Sequence, residues 1–159
     1  MPFLVKIVIE GVNMTVVYVS GTFDLFHSNH LKMINYGRGL GDTLIVGVST
    51  DELVCSYKKP PAVPFEERIA IVEGLKAPDL VIPQHTLEHS ETVKKLNIDC
   101  FVIGDDWYGK YDYLKRLGVD VFYLPYGTGV SSTNLKKKIY EQYQELIRGS
   151  DEHPIPEPK

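Results

Sequence analysis

The chain has 159 residues, a formal net charge of −4 and two cysteines, a length that supports one domain with a real core and excludes two. The acidic balance argues against a global attraction to nucleic acid or to an anionic membrane surface. Cys55 and Cys100 form no C-x-x-C pair, which fits a reducing compartment and no zinc ribbon, and no stretch reaches the length of a membrane span.

The first residues, Phe3 to Ile9, are apolar but too short and too interrupted for a signal peptide, so a cytoplasmic protein is expected. Val16-Val17-Tyr18-Val19 is predicted as a buried strand. A turn, Gly21-Thr22-Phe23-Asp24, leads to a helix over 31–40. That helix closes in Gly37-Arg38-Gly39-Leu40-Gly41, where a glycine can take the left-handed cap. This cluster ends a helix, whereas a dinucleotide loop opens one. Thr43 to Val48 is the second strand, and Ser49-Thr50-Asp51-Glu52 carries helix-start chemistry.

Residues 55–64 are a polar, proline-rich loop containing Lys58-Lys59. Phe65, Ile69, Val72 and Leu75 share one face of a helix over 65–75. A strand over 79–82, a helix over 87–96 and a strand over 99–103 follow, the last running into Gly104-Asp105-Asp106-Trp107. Tyr111 to Leu117 is helical with Gly118 as its cap, and Val119 to Leu124 is the final strand. After a loop over 125–130, Ser131 is an N-cap for a helix whose Leu135, Ile139, Tyr143 and Leu146 align on one stripe. Its Lys136-Lys137-Lys138 run reads as a solvated face. The tail, 149–159, is charged and proline-rich and is expected to be disordered.

This alternation predicts an α/β fold: a single Rossmann-like domain with a parallel sheet of about five strands and helices on both faces. Ligands of such sheets bind beyond the carboxyl ends of the strands. The polar clusters fall there: Asp24, His27 and His30 after the first strand, Asp51 after the second, Asp105, Asp106 and Trp107 after the fourth, and Ser131-Ser132-Thr133 after the last.

His27 and His30 sit three residues apart where a strand hands over to a helix. A helix N-terminus offers unpaired N–H groups and a positive dipole end to an anion, so two imidazoles there favour phosphate. The alternatives are a helix cap and a metal site in which His27, His30 and Asp24 supply three ligands. No serine, threonine or cysteine stands in a nucleophile-and-base arrangement, and no Walker lysine loop exists. The inventory suits a reaction whose substrate brings its own nucleophile, such as a phosphate oxygen attacking a nucleotide α-phosphorus in line.

Gly-Thr-Phe-Asp-x-x-His-x-x-His at 21–30, with Gly104-Asp105-Asp106-Trp107 and Gly129-Val130-Ser131-Ser132-Thr133, resembles the cytidylyltransferases of the HxGH nucleotidyltransferase superfamily, and among them the branch acting on glycerol 3-phosphate. The likeness runs from about Met14 to about Tyr140 and divides the chain into an extension (1–13), a nucleotidyltransferase domain (14–148) and the tail. It implies that CMP passes from CTP to a small phosphate- or phosphonate-bearing acceptor with release of pyrophosphate, that Mg²⁺ accompanies CTP, that the protein is a homodimer, and that neither nucleic acid nor membrane is a partner. It implies catalytic roles for His27, His30, Asp24 and Lys59, with Asp24 orienting the site and helping to hold Mg²⁺. Thr22, Phe23, Arg68, Asp105, Trp107, Ser131, Ser132 and Thr133 would bind the nucleotide. Without the resemblance, Arg68 reads as a surface salt bridge and Trp107 as core packing.

Three positions depart from the family pattern: Asn29 stands where it has glycine, Tyr57 where it has a lysine, and Tyr126 where it has an arginine. Asparagine tolerates unusual backbone angles, so the turn is expected to survive. Two rival readings remain open: a nucleotide-binding relative with weak or no catalysis, and an adenylyltransferase of the same superfamily. Aromatics at Trp107, Tyr108, Tyr111 and Tyr113 would also suit a quaternary ammonium cage. By its distance from Gly21, Met14 matches the family's first residue, so residues 1–13 are expected to be dispensable for the chemistry.

Overall fold

A computed structural model describes residues 13–125 and 127–149. Of the expected extension and tail only Asn13 and Gly149 fall inside that span; the other expectations for 1–13 and 149–159, and those for Tyr126, lie outside the described residues. In chain order the elements are β1 (Val16–Gly21), α1 (Ser28–Leu40), β2 (Thr43–Ser49), α2 (Asp51–Cys55), α3 (Phe65–Glu73), β3 (Leu80–Gln84), α4 (Ser90–Leu96), β4 (Cys100–Gly104), β5 (Asp120–Leu124) and α5 (Ser132–Gly149). Two 3-10 turns, Asp105–Trp107 and Asp112–Leu117, separate β4 from β5. The five strands are all parallel in the order β3-β2-β1-β4-β5, the Rossmann-like sheet that the alternation predicts.

The two-residue period of a strand turns one apolar run into two cores. Val17 and Val19 of β1 join Leu44, Val46, Val48 and Val102 beneath Ile34 of α1 and Val72 of α3. Val16 and Tyr18 face the opposite way and join Ile45, Phe101 and Ile103, closed by Val93, Leu114 and Val119. Strands buried on both faces read as unbroken hydrophobic runs, which is why the central strands are legible and their faces are not.

The glycine cluster after α1 works differently from the expected left-handed cap. Gly37 and Gly39 lie inside α1, and the capping Gly41 is extended, with φ −163° and ψ −175°. Close packing explains two of these glycines. A Cβ on Gly37 would run into the Val19 side chain, and one on Gly41 would lie 2.7 Å from the Thr15 carbonyl oxygen. The helix at 87–96 begins only at Ser90, because the Thr86 hydroxyl and the Glu88 carboxylate accept the N–H groups of Glu88 and Ser90 and hold a turn. Gly118 does take the left-handed cap, with φ 81°. The stripe on α5 aligns but reaches no core: among its described residues none is buried.

Candidate active site

The turn after β1 is wound through left-handed backbone at two residues that carry side chains, Phe23 (φ 57°) and Leu25 (φ 47°). Such angles are costly outside glycine and persist only where surrounding structure holds them. Here they drive Asp24 into the protein, where it is 5% exposed. Its carboxylate accepts the N–H groups of Ala62 and Val63, each at 2.9 Å, and pairs with Lys136 Nζ at 2.8 Å. Its carbonyl accepts the Ser132 hydroxyl. Burial alone would raise the Asp24 pKa; Lys136 and the two backbone donors outweigh it and hold it below the usual carboxylate range. Asp24 thus clasps the 55–64 loop and the start of α5 to the end of β1.

His27 is the N-cap of α1. Its Nδ1 accepts the Asn29 N–H, and His30 Nδ1 accepts the His27 N–H, both at 3.3 Å, a capping box built from two histidines. Because each Nδ1 accepts, each ring proton sits on Nε2. The rings stack at 3.8 Å between centroids. Burial, with His27 and Lys58 adding to it and Asp24 opposing, pushes His30 down to about 3; burial also lowers His27. The pair is therefore neutral and presents Nε2–H donors at a helix N-terminus. The His27 Nε2 is shielded from solvent and has no protein partner among the described residues. Among the described residues no group of three or more His, Cys, Asp or Glu side chains could hold a metal ion, so the alternative of His27, His30 and Asp24 as metal ligands loses its support.

These depressed values set a pH dependence. His89, completely buried among the rings of Tyr18, Phe101 and Tyr111, is also lowered by burial, to about 4, with Glu88 opposing. An unfolded histidine takes its proton near 6.5, while the folded His30 and His89 resist until about 3 and about 4. Unfolding therefore gains protons below pH 6.5. Stability should be level above that pH and fall toward pH 4 by up to ~1.4 kcal/mol per pH unit for each histidine. Urea midpoints between pH 7 and 4.5 check this, and His89→Phe should make the slope shallower.

A cavity of about 660 Å³ opens at the carboxyl ends of β1, β3 and β4, at the switch point where the strand order reverses between β1 and β4. Asp24, His30 and Lys59 lie on its wall, with Thr22 and Phe23 of the turn, whereas His27 does not line it and is stacked on His30. Opposite them stand Ser131, Ser132 and Thr133. The Ser131 hydroxyl accepts the Asn134 N–H at 3.0 Å, so Ser131 is the N-cap of α5 as expected, and a second helix N-terminus faces the cavity. Trp107 lines it too, edge-on to Tyr57 and tilted against Tyr111.

Two expected nucleotide contacts are placed elsewhere. Asp105 does not line the cavity; its neighbour Asp106 does, its pKa raised by burial and by the Asp105 charge. Arg68 is 1% exposed and also off the cavity wall. Its guanidinium donates to the carbonyls of Val63, Thr22 and Ser49 and pairs with Asp51 at 2.6 Å. It is neither a surface salt bridge nor a phosphate ligand but an internal tie beneath the histidine turn. The aromatic cage that Trp107, Tyr108, Tyr111 and Tyr113 would suit does not assemble from all four. Tyr108 is exposed and Tyr113 donates no wall, its hydroxyl instead accepting the His89 N–H, while Lys110 Nζ already sits 5.0 Å over the Trp107 ring.

Asn29 lies in ordinary helix, so tolerance of unusual angles is not what it supplies. Its side-chain amide donates to the carbonyls of Gly127 (3.0 Å) and Val130 (2.6 Å) and latches the loop before α5 to α1. A Cβ on Gly127 would collide with that amide. Asn29→Gly should free this loop and raise the nucleotide KM up to about thirtyfold, with little change in kcat, the loss of two hydrogen bonds of ~1 kcal/mol each. Steady-state kinetics on the variant checks this. Sequence reasoning also missed Lys136, assigned to a solvated face. The signal was its spacing: it follows Ser132 by four residues, hence on the same side of α5.

The chain matches the family described as cytidylyltransferase-like over residues 18–138. It is 45% identical over 118 residues to the glycerol-3-phosphate cytidylyltransferase of Bacillus spizizenii, covering 74% of this chain and 91% of that one. The Staphylococcus aureus protein of the same name is 38% identical over 121 residues, covering 76% and 91%. An ethanolamine-phosphate cytidylyltransferase of Arabidopsis thaliana is 39% identical over 95 residues, covering 57% of this chain and 23% of that one. Among solved structures, a lipopolysaccharide core biosynthesis protein from Thermoplasma volcanium superposes with a TM-score of 0.62 at 25% identity, covering 74% of this chain and all of that one.

Proposed function

The chain belongs to the cytidylyltransferase-like family, and from that premise we propose that it transfers CMP from CTP to a small phosphate-bearing polyol of the glycerol 3-phosphate kind. An oxygen of the acceptor phosphate attacks the α-phosphorus. The bond from that phosphorus to the α–β bridging oxygen breaks, and pyrophosphate leaves with the electron pair. One observation carries this reading: the His30 ring, with His27 stacked on it, a hydroxyl-rich helix N-terminus and the cations Lys59 and Lys136 are gathered at one cavity whose wall His30 forms, with no side-chain nucleophile set beside a base among the described residues. The protein's part is positioning and charge stabilisation. His27 and His30 donate to the phosphate oxygens on which charge develops. Ser131, Ser132 and Thr133 hold the β- and γ-phosphates with Lys59. Trp107 and Asp106 wall the cytidine.

Mg²⁺ bound to the triphosphate of CTP would supply charge neutralisation there. Both Asp24 oxygens already accept from the chain itself, so Asp24 orients the elements around the triphosphate. Lys110 over the indole disfavours a cationic acceptor and supports a neutral polyol over an amine. CTP as donor, two unpaired cysteines and the relatives' names suit a cytosolic enzyme, working as a homodimer.

The test is pyrophosphate release from CTP or ATP, with Mg²⁺, across phosphorylated polyols, phosphoethanolamine, phosphocholine and phosphonates. Turnover with CTP and a polyol phosphate is expected. Equal use of ATP would remove the cytidine assignment, and CTP binding without turnover on any acceptor would leave a non-catalytic nucleotide-binding protein.

A further inference from the structure

The cavity has a second end, floored by Ser20, Ser49 and Gln84 at the carboxyl ends of β1, β2 and β3. Ser49 and Gln84 are register partners on adjacent strands. Ser20 follows Tyr18 by two residues and so shares its face of the sheet, the one turned away from α1. The cap of α5 that faces the phosphates is latched to α1 through Asn29. Floor and cap therefore stand on opposite sides of β1. An in-line displacement requires the same relation of the attacking and leaving oxygens.

The floor is polar but buried. Gln84 is 5% exposed, and its Oε1 accepts the hydroxyls of Ser20 and Tyr18. Two donors on that oxygen fix the amide's orientation and leave its Nε2 over. The Gln84 Nε2, the Ser49 hydroxyl and the Tyr111 hydroxyl have no hydrogen-bond partner among the described residues. Unlike the ring nitrogens of His89, none of the three is sealed from solvent, and all three residues line the cavity. A buried polar group left unpaired costs roughly 1–3 kcal/mol, so these groups are set for a ligand. Each is neutral. The carboxylates on the cavity wall are already answered, Asp24 by Lys136 and Asp106 by the charges of Lys58 and Lys110. A charged group on this floor would find no opposite charge, whereas a hydroxyl would find donors and acceptors alike.

Resting on the proposed cytidylyl transfer, we infer that Gln84, Ser49 and Tyr111 form a subsite that reads the acceptor's hydroxyls, with Gln84 the residue that selects a polyol phosphate over an amine-bearing one. The Gln84 Nε2 donates to a hydroxyl oxygen of the acceptor, and Ser49 and Tyr111 exchange hydrogen bonds with its hydroxyls. Ser20 and Tyr18 are positioning residues that hold the amide with its donors toward the cavity.

The test is steady-state kinetics with saturating CTP on three acceptors: glycerol 3-phosphate, a propanediol phosphate lacking the middle hydroxyl, and phosphoethanolamine. The wild type should use the propanediol phosphate about ten- to hundredfold less efficiently in kcat/KM, because the floor is left unpaired. Gln84→Glu keeps an oxygen acceptor for Ser20 and Tyr18 and puts a negative charge on the floor. It should raise the KM for glycerol 3-phosphate about tenfold and shift the kcat/KM ratio toward phosphoethanolamine about hundredfold, with the KM for CTP moving less than about twofold. Ser49→Ala should narrow the gap between the glycerol and propanediol phosphates. A Gln84→Glu enzyme slowed on every acceptor alike, one whose KM rises for CTP instead, or a wild type indifferent to the missing hydroxyl would overturn the inference and leave cytidylyl transfer standing. A wild type that turns over no acceptor with CTP would overturn that transfer, and the inference with it.

Discussion

His30→Ala should lower kcat by two or more orders of magnitude while the domain stays folded, the cost of losing a preset donor at developing phosphate charge. The side chain is 9% exposed, its Nδ1 is committed to the His27 N–H, and its Nε2–H is what remains for a ligand. Removing it also opens the capping box, so a second variant separates chemistry from structure. His27→Asn keeps a good N-cap residue and should retain stability while losing rate. With His30 depressed to about 3, the rate should show no limb near pH 6.5 from this ring, because it does not charge there. Stopped assays of both variants between pH 5.5 and 8.5, with thermal melts beside them, decide this. Zinc that survives dialysis and is lost from His30→Ala would restore the metal reading.

Arg68→Met should be strongly destabilising, by about 3–5 kcal/mol, because three carbonyls inside the protein lose their donors at roughly 1–3 kcal/mol each. The Arg68 side chain is completely buried against a half-exposed Asp51, so much of the cost falls on the carbonyls of Thr22, Val63 and Ser49 left without donors. In the fraction that remains folded at low temperature, the KM for CTP should be close to wild type. An arginine that bound phosphate would give the opposite result: a KM raised tenfold or more with an unchanged urea midpoint.

The strands were legible because parallel strands buried on both faces are written as plain apolar runs, as at Val16 to Val19 and Thr43 to Val48. The cavity's position followed from the alternation, since polar residues gathered where strands end. What the sequence could not display is which of two adjacent polar residues turns inward. Asp105 and Asp106 look equivalent in a string, and a 3-10 turn chose Asp106 for the wall. Arg68 reads as an exposed residue between Glu67 and Ile69 because two of its three carbonyl partners, Thr22 and Ser49, come from distant segments. Asn29 presents the same difficulty: its partners lie 98 and 101 residues away, and a pair that far apart leaves no periodicity to detect. The glycines after α1 misled for another reason. Glycine serves left-handed caps and close packing alike, and only the Val19 side chain and the Thr15 carbonyl decide between them.

In the proposed reaction the acceptor's own phosphate attacks the α-phosphorus, with the protein supplying donors and no covalent intermediate. The stereochemical course at that phosphorus tests it most directly. With CTP made chiral at phosphorus by an α-sulfur, and glycerol 3-phosphate as acceptor, a single in-line displacement should invert the configuration in the cytidylyl product. Retention would require two displacements through a covalent enzyme intermediate, and would contradict it.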